Sequence, residues 1–147
     1  MIQRIQTLYI IIAMLLVLGA AFFFPHATCE VVSGSGKSSF EENIYLFSSY
    51  GGIFWMILFS IFSLIAIFKF NDRKKQIYYI NGNLIGIPFL LLILYVFHFF
   101  ITESDCIIKY TNWIFDVSLV IGCFFFFLAR RSIKKDEDLI NSINRLR

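Results

Sequence analysis

Charge is scarce in this chain: 16 % of its 147 residues are Asp, Glu, Lys or Arg, against about 25 % in an ordinary soluble domain. Histidine is scarcer still, with His26 and His98 alone. A haem held at mid-span needs paired axial ligands, and neither a haem nor a metal cluster can be assembled from these two. There are three cysteines, Cys29, Cys106 and Cys123, and no Cys-x-x-Cys. Quinone-linked thiol relays use a reactive Cys-x-x-Cys and a second pair, so a relay of that build is missing half its parts. Gly36-Lys37-Ser38 lacks the earlier glycine of a phosphate loop, because Val31 stands in its place. No Ala-x-Ala site follows the first apolar run, which ends in Pro25-His26-Ala27-Thr28-Cys29. That run is expected to stay as an anchor rather than be cleaved as a signal peptide. No catalytic constellation stands out, and an enzyme is not expected.

What the chain has instead is apolar surface. The hydrophobic fraction is 59 %, with 19 phenylalanines, where soluble domains sit near 45–50 %. Four runs hold most of it: Leu8–Phe24, Ile53–Phe68, Leu84–Ile101 and Trp113–Ala129. Each approaches the roughly 17–25 residues that a helix needs to cross a bilayer. Within lipid only helices and closed barrels satisfy their own peptide groups. Barrel strands alternate polar and apolar residues, and Phe89-Leu90-Leu91-Leu92-Ile93-Leu94 does not. The expectation is all-α: four transmembrane helices over about 5–24, 51–70, 77–101 and 112–129. Loops would cover 25–50 and 102–111 on one side and 71–76 on the other, with a tail at 130–147. The short loop between spans two and three, and that between three and four, make consecutive spans antiparallel neighbours. The result is a single up-down-up-down bundle.

The net charge of +3 says less than its placement. Of 13 basic residues, 11 fall on one side: Arg4, Lys69, Arg73, Lys74, Lys75, Arg130, Arg131, Lys134, Lys135, Arg145 and Arg147. Lys37 and Lys109 fall on the other. The positive-inside rule then makes both termini cytoplasmic. Because the cations hug helix ends, membrane lipid explains them better than nucleic acid does.

Between the spans, Ser33 to Ser39 is flexible by composition, and Phe40 to Tyr50 is amphipathic. Gly82 with Gly86, and Ser118 with Gly122, are spaced for close helix contact, and Asn81 and Asn83 beside the first pair could hydrogen-bond across helices. After Ala129, the residues Ile133, Leu139, Ile140, Ile143 and Leu146 recur at helical spacing among charges. This reads as a short cytoplasmic C-terminal helix, either extending span four or lying on the inner surface, and either packing on the membrane or docking a partner.

Three groups could carry a specific role. Cys29 and Cys106 fall in the two outer loops and could form a disulfide, provided their Cα atoms come within about 7 Å. His98 near the end of span three and Asp116 near the start of span four lie at one level, where His26 could join them. Ionisable groups within a span are functional candidates by default, although at this shallow depth they can also reach water or lock helices together. On the cytoplasmic side, Gln3 and Arg4 lie at the level of Asp136, Glu137 and Asp138.

The two ends are the chain's most distinctive sequences. Met1-Ile2-Gln3-Arg4-Ile5-Gln6-Thr7-Leu8-Tyr9 and Ala129-Arg130-Arg131-Ser132-Ile133-Lys134-Lys135-Asp136-Glu137-Asp138-Leu139, with the closing Asn144-Arg145-Leu146-Arg147, resemble a family of small four-helix membrane proteins from Bacteroidota. The resemblance covers the whole chain, with specific ends and a loose middle. Because that family has no known function, the resemblance implies topology and lineage but no activity.

The expected role is therefore that of a non-enzymatic, multi-pass protein of the bacterial inner membrane without cofactor or metal. It would be an accessory or scaffold subunit of a larger complex. Its face of Gln3, Arg4, Arg130, Arg131, Lys134, Lys135, Asp136, Glu137 and Asp138 would hold a membrane or cytoplasmic protein. One alternative is a small carrier or sensor of lipid, quinone or protons using His98 and Asp116. Another is a thiol-redox protein using Cys29 and Cys106.

Overall fold

The computed structural model describes residues 2–32, 39–46, 50–101 and 106–145, and side chains for 5–28, 43–46, 50–96 and 111–142. Its elements in order are α1 (Ile2–Phe23), β1 (Ala27–Val32), β2 (Ser39–Ile44), α2 (Tyr50–Phe68), α3 (Arg73–Ile101), β3 (Cys106–Thr111) and α4 (Trp113–Arg145). Among the described residues four helices are long and apolar enough to cross a membrane, which makes this a multi-pass membrane protein. Large apolar side chains such as Leu15, Leu92 and Phe124 are exposed around the bundle, as expected where lipid is the solvent.

The buried residues explain how the helices meet. In α4 they fall at Phe115, Leu119, Gly122, Phe126, Ala129, Ile133 and Asp136, and in α1 at Gln6, Ile10, Ala13, Val17 and Ala20. The steps alternate between four and three. In α3 the same rhythm runs through Gln76, Ile80, Asn83, Ile87 and Leu90, and in α2 through Gly52, Phe59, Ser63 and Ala66. A strict seven-residue repeat keeps one seam facing its neighbour and gives the shallow crossing of up-down bundles. Closest approach is between α1 and α4, then α3 against α2 and α4, while the α1–α2 seam is the loosest. That loose seam leaves an apolar groove of ≈ 480 Å³, lined by Leu18, Phe22, Ile53, Met56, Ile57, Ser60 and Ile61.

Glycines permit the close approaches. A Cβ on Gly122 would lie 2.6 Å from Val17 Cγ2, hard against α1. Gly82 and Gly86 also face a neighbour, but what they admit is a ring. A Cβ there would meet the Phe62 ring at 2.9 Å and the Trp55 ring at 2.6 Å. Ser118 does not share this role, because its hydroxyl donates to Ile114 O of its own helix at 2.7 Å.

Two expectations need correction. First, the fold is not all-α. The loops at one end form a three-stranded antiparallel sheet in the order β2-β1-β3. Beyond the apolar spans peptide groups no longer need a helix to be satisfied, and Ile107, Ile108, Tyr110 and Thr111 are strong strand formers. Second, the far turn is shorter than 71–76, since α3 starts at Arg73. Asp72 caps it, accepting from the Lys75 backbone N–H at 3.3 Å and pairing with the Lys75 ammonium at 3.0 Å. Of the two forms expected for the tail, the structure has the extension of span four. α4 runs unbroken for 33 residues to Arg145.

The sheet also fixes where α4 begins. Asn112 donates its N–H to His26 O at 3.0 Å, and His26 N–H donates to Ile44 O at 3.0 Å. The Asn112 side chain then accepts the Ile114 N–H at 3.1 Å, a helix N-cap. Asp116 sits in the first turn, where the helix dipole favours a negative charge.

Candidate functional site

The sheet end gathers one polar cluster. Tyr95 on α3 donates its hydroxyl to Asp116 Oδ2 at 2.6 Å. His26, Leu94, Thr111 and Phe115 join these two around a space of ≈ 10 Å³, about enough for one water. The His26 ring leans on Phe115, with centroids 6.1 Å apart. The structure thus brings His26 and Asp116 to one space and adds Tyr95 to them. The side chain of His98, three residues further along α3, lies outside the described residues, and so does the expected His98–Asp116 pair.

Cys29 and Cys106 lie on adjacent strands but not opposite each other. Cys106 pairs with Val31, and Cys29 with Ile108. Diagonal positions of this kind stand ~7–8 Å apart, at the upper limit for a disulfide, and a register shift falls between Thr28 and Cys29. Their side chains lie outside the described residues. Cys123 in α4 is a half-buried free thiol. Among the described residues no three His, Cys, Asp or Glu side chains gather as metal ligands would.

The opposite end, where α2 turns into α3, is organised by a polar layer within the core. Gln6 Nε2 donates to Asp136 Oδ2, joining α1 to α4, and both side chains are buried. Two turns deeper, Asn83 Nδ2 donates to Ser63 Oγ at 2.9 Å, joining α3 to α2. Gln76 is 2 % exposed. Asn81 Oδ1 is buried without a hydrogen-bond partner among the described residues.

This layer divides the residues expected to form the docking face. Arg130, Arg131, Lys134, Lys135 and Asp138 are exposed and Glu137 is half-buried. Asp136 is 8 % exposed and already engaged by Gln6, so it drops out of that face. It occupies the next place on the buried stripe of α4, which is why it turns inward. The side chains of Gln3 and Arg4 lie outside the described residues. At the turn itself, hydrogen bonds from the Lys75 ammonium and backbone N–H hold the Asp72 carboxyl below its ordinary value.

The hydrogen bonds also set levels along the bundle. Gln6 stands opposite Asp136 and Tyr95 opposite Asp116. Counting from those pairs, α1 and α3 both begin near the level of residues 138–140. Residues 141–145 of α4 therefore project past their neighbours, and Leu139 and Ile140, at the rim where those neighbours begin, are 49 % and 43 % exposed.

A family model described as Domain of unknown function (DUF4293) matches residues 2–146. No curated protein and no solved structure matches the chain.

Proposed function

Since the chain belongs to the DUF4293 family, whose function is unassigned, we propose from the geometry that it is a non-enzymatic accessory or scaffold protein that docks a partner through the projecting end of α4. The observation that carries this reading is the tip itself. A helix that runs out past the bundle rim, with exposed Leu139 and Ile140 at that rim beside charged residues, offers an amphipathic surface of the kind that partner grooves accept. Glu137 and Asp138 supply charge for register, as Arg130, Arg131, Lys134 and Lys135 do further back. Gln3 and Arg4 begin α1 on the same side. The excess of basic residues here supports a cytoplasmic location for this end and for both termini. The resemblance of the chain's ends to Bacteroidota proteins supports the bacterial inner membrane as its site.

The test is photo-crosslinking from position 139 in native membranes, followed by co-purification of whatever protein is captured. A defined partner protein whose recovery falls at least tenfold in I140D supports docking. Recovery of monomer and lipid alone sinks it.

A second reading rests on the Tyr95–Asp116 hydrogen bond with His26 beside it. These groups, with His98, would make a shallow polar site for a proton or for the head of a lipid or quinone. Titration of the protein with quinone or proton-sensitive probes should then respond to D116N. An unchanged response removes this reading. A thiol-redox role would need Cys29 and Cys106 to exchange as a pair, and their diagonal register argues for less strain when they are reduced.

A further inference from the structure

We propose that the outer edge of β2 is a docking site for an extended, basic segment of a partner protein, which joins the sheet as a further strand. The sheet has two edges, and they are built differently. Along β3 the register steps from Tyr110 opposite Thr28 to Ile108 opposite Cys29, so Lys109 is an extra residue without a partner on β1. A bulge and a lysine are both devices that blunt an edge strand against further pairing. β2 has neither. Its residues Ser39–Ile44 pair with β1 without a break. Among the described residues no strand lies on its far side. Alternate residues of an antiparallel strand turn their peptide groups away from the neighbour they pair with. The free side of β2 therefore offers a row of N–H and C=O groups to an incoming chain.

The residues across the sheet say which chain fits. Glu41 is directly opposite Glu30 on β1, and Glu30 is opposite Ile107 on β3. Like charges opposite each other across strands are destabilising. The row reads Glu41, Glu30, Ile107, so the strand position left for a cation beside these carboxylates is the one across the open side of Glu41. Glu42 follows on the other face of the strand, and β1 and β2 hold no Lys or Arg. A lysine or arginine set across from Glu41 turns a like-charge pair into a row of alternating sign. The same carboxylates exclude a second copy of this chain, because β2 paired antiparallel with another β2 sets glutamate against glutamate. In such strand addition the main-chain ladder supplies affinity and the side chains supply selection. The site is independent of docking at the tip of α4, which lies at the opposite end of the bundle.

The experiment is amide hydrogen exchange of the full chain in phosphatidylcholine nanodiscs, whose lipid has no net charge to attract the probe, titrated with a short peptide of alternating valine and lysine. Exchange at Ser39–Ile44 should slow as the peptide is added, while Cys106–Thr111 is unaffected. In E41Q/E42Q the peptide concentration giving half the effect should rise about tenfold, at up to about fivefold for each cross-strand charge pair lost. A valine–glutamate peptide should leave wild type unchanged, a comparison that needs no variant. No slowing with the lysine peptide, slowing with the glutamate peptide, equal slowing at both edge strands, or an E41Q/E42Q response equal to wild type overturns the proposal. So does slowing at Ser39–Ile44 that grows with protein concentration alone, which would make a second copy the occupant.

Discussion

The two ends of this bundle are held together by different means. At the sheet end backbone joins backbone. β1 hydrogen-bonds to β2 and β3, and His26 clips both the end of β2 and the start of α4. At the turn end side chains make the links, through Gln6–Asp136 and Ser63–Asn83. The difference follows from the solvent. Past the apolar spans peptide groups can pair between strands, but within lipid they are consumed by their own helix. Any polar link there has to come from a side chain placed on the buried stripe. A polar residue at such a position costs stability if unmet and specifies register when met.

The largest expected effect comes from breaking the turn end. Gln6→Leu leaves the Asp136 carboxyl buried without its donor and should cost about 3 kcal/mol. The double variant Q6L/D136L should recover most of that loss, because an apolar pair of similar size suits the seam. Denaturant unfolding of the detergent-solubilised protein measures both, and a double variant as unstable as Q6L would show that the pair matters for packing alone. Gly122→Leu comes next. Its side chain would collide with Val17, and overpacking at the α1–α4 seam should cost about 2 kcal/mol in the same assay. At the sheet end, Asn112→Ala removes the cap of α4 and should cost about 1 kcal/mol. Amide exchange should quicken at Ile114 and its neighbours while the turn end stays protected. The smallest effect is a response to pH. Because the folded-state pKa of Asp72 is depressed by Lys75, its contribution to the start of α3 is present above the unfolded value and fades as pH falls through the lower, folded one. Exchange at Lys75 and Gln76 should quicken in that acidic window, and K75A should abolish the change.

Much of the bundle is legible in the sequence because lipid leaves little choice. Long apolar runs must be helices, and their number and spacing give the antiparallel order. The sheet is harder to read. Ser39–Ile44 carries two glutamates and an asparagine, a weak strand signal alone. It becomes a strand because β1 lies beside it. The run Cys106–Thr111 did carry a signal in its β-branched and aromatic residues, hidden by the reading of a short turn between spans. Asp136 illustrates a different limit. Counted with its charged neighbours it belongs to a solvated tail. Counted at alternating steps of four and three from Phe115, it is the next buried position. The repeat continues past Ala129, where the change from apolar to charged composition hides it. Likewise Tyr95 is one aromatic among many in the sequence, and only the antiparallel level of α3 and α4 makes it the partner of Asp116.

The first and last helices are each other's closest neighbours, and the central strand pairs with a strand that directly precedes the last helix. This closure by the chain's two extremes bears on how the protein is made. When α1 enters the bilayer, the helix that will cover its alanines and meet Gln6 begins only 90 residues further along the chain, from Phe23 to Trp113. Until α4 arrives, Gln6 must find water or a headgroup at the membrane edge, and β1 waits without one of its two neighbours. Insertion of the final span therefore completes the seam between α1 and α4, the polar layer and the sheet in one event. A chain truncated before Trp113 would keep three spans and the three strands but would lose the α1–α4 seam and the Gln6–Asp136 link.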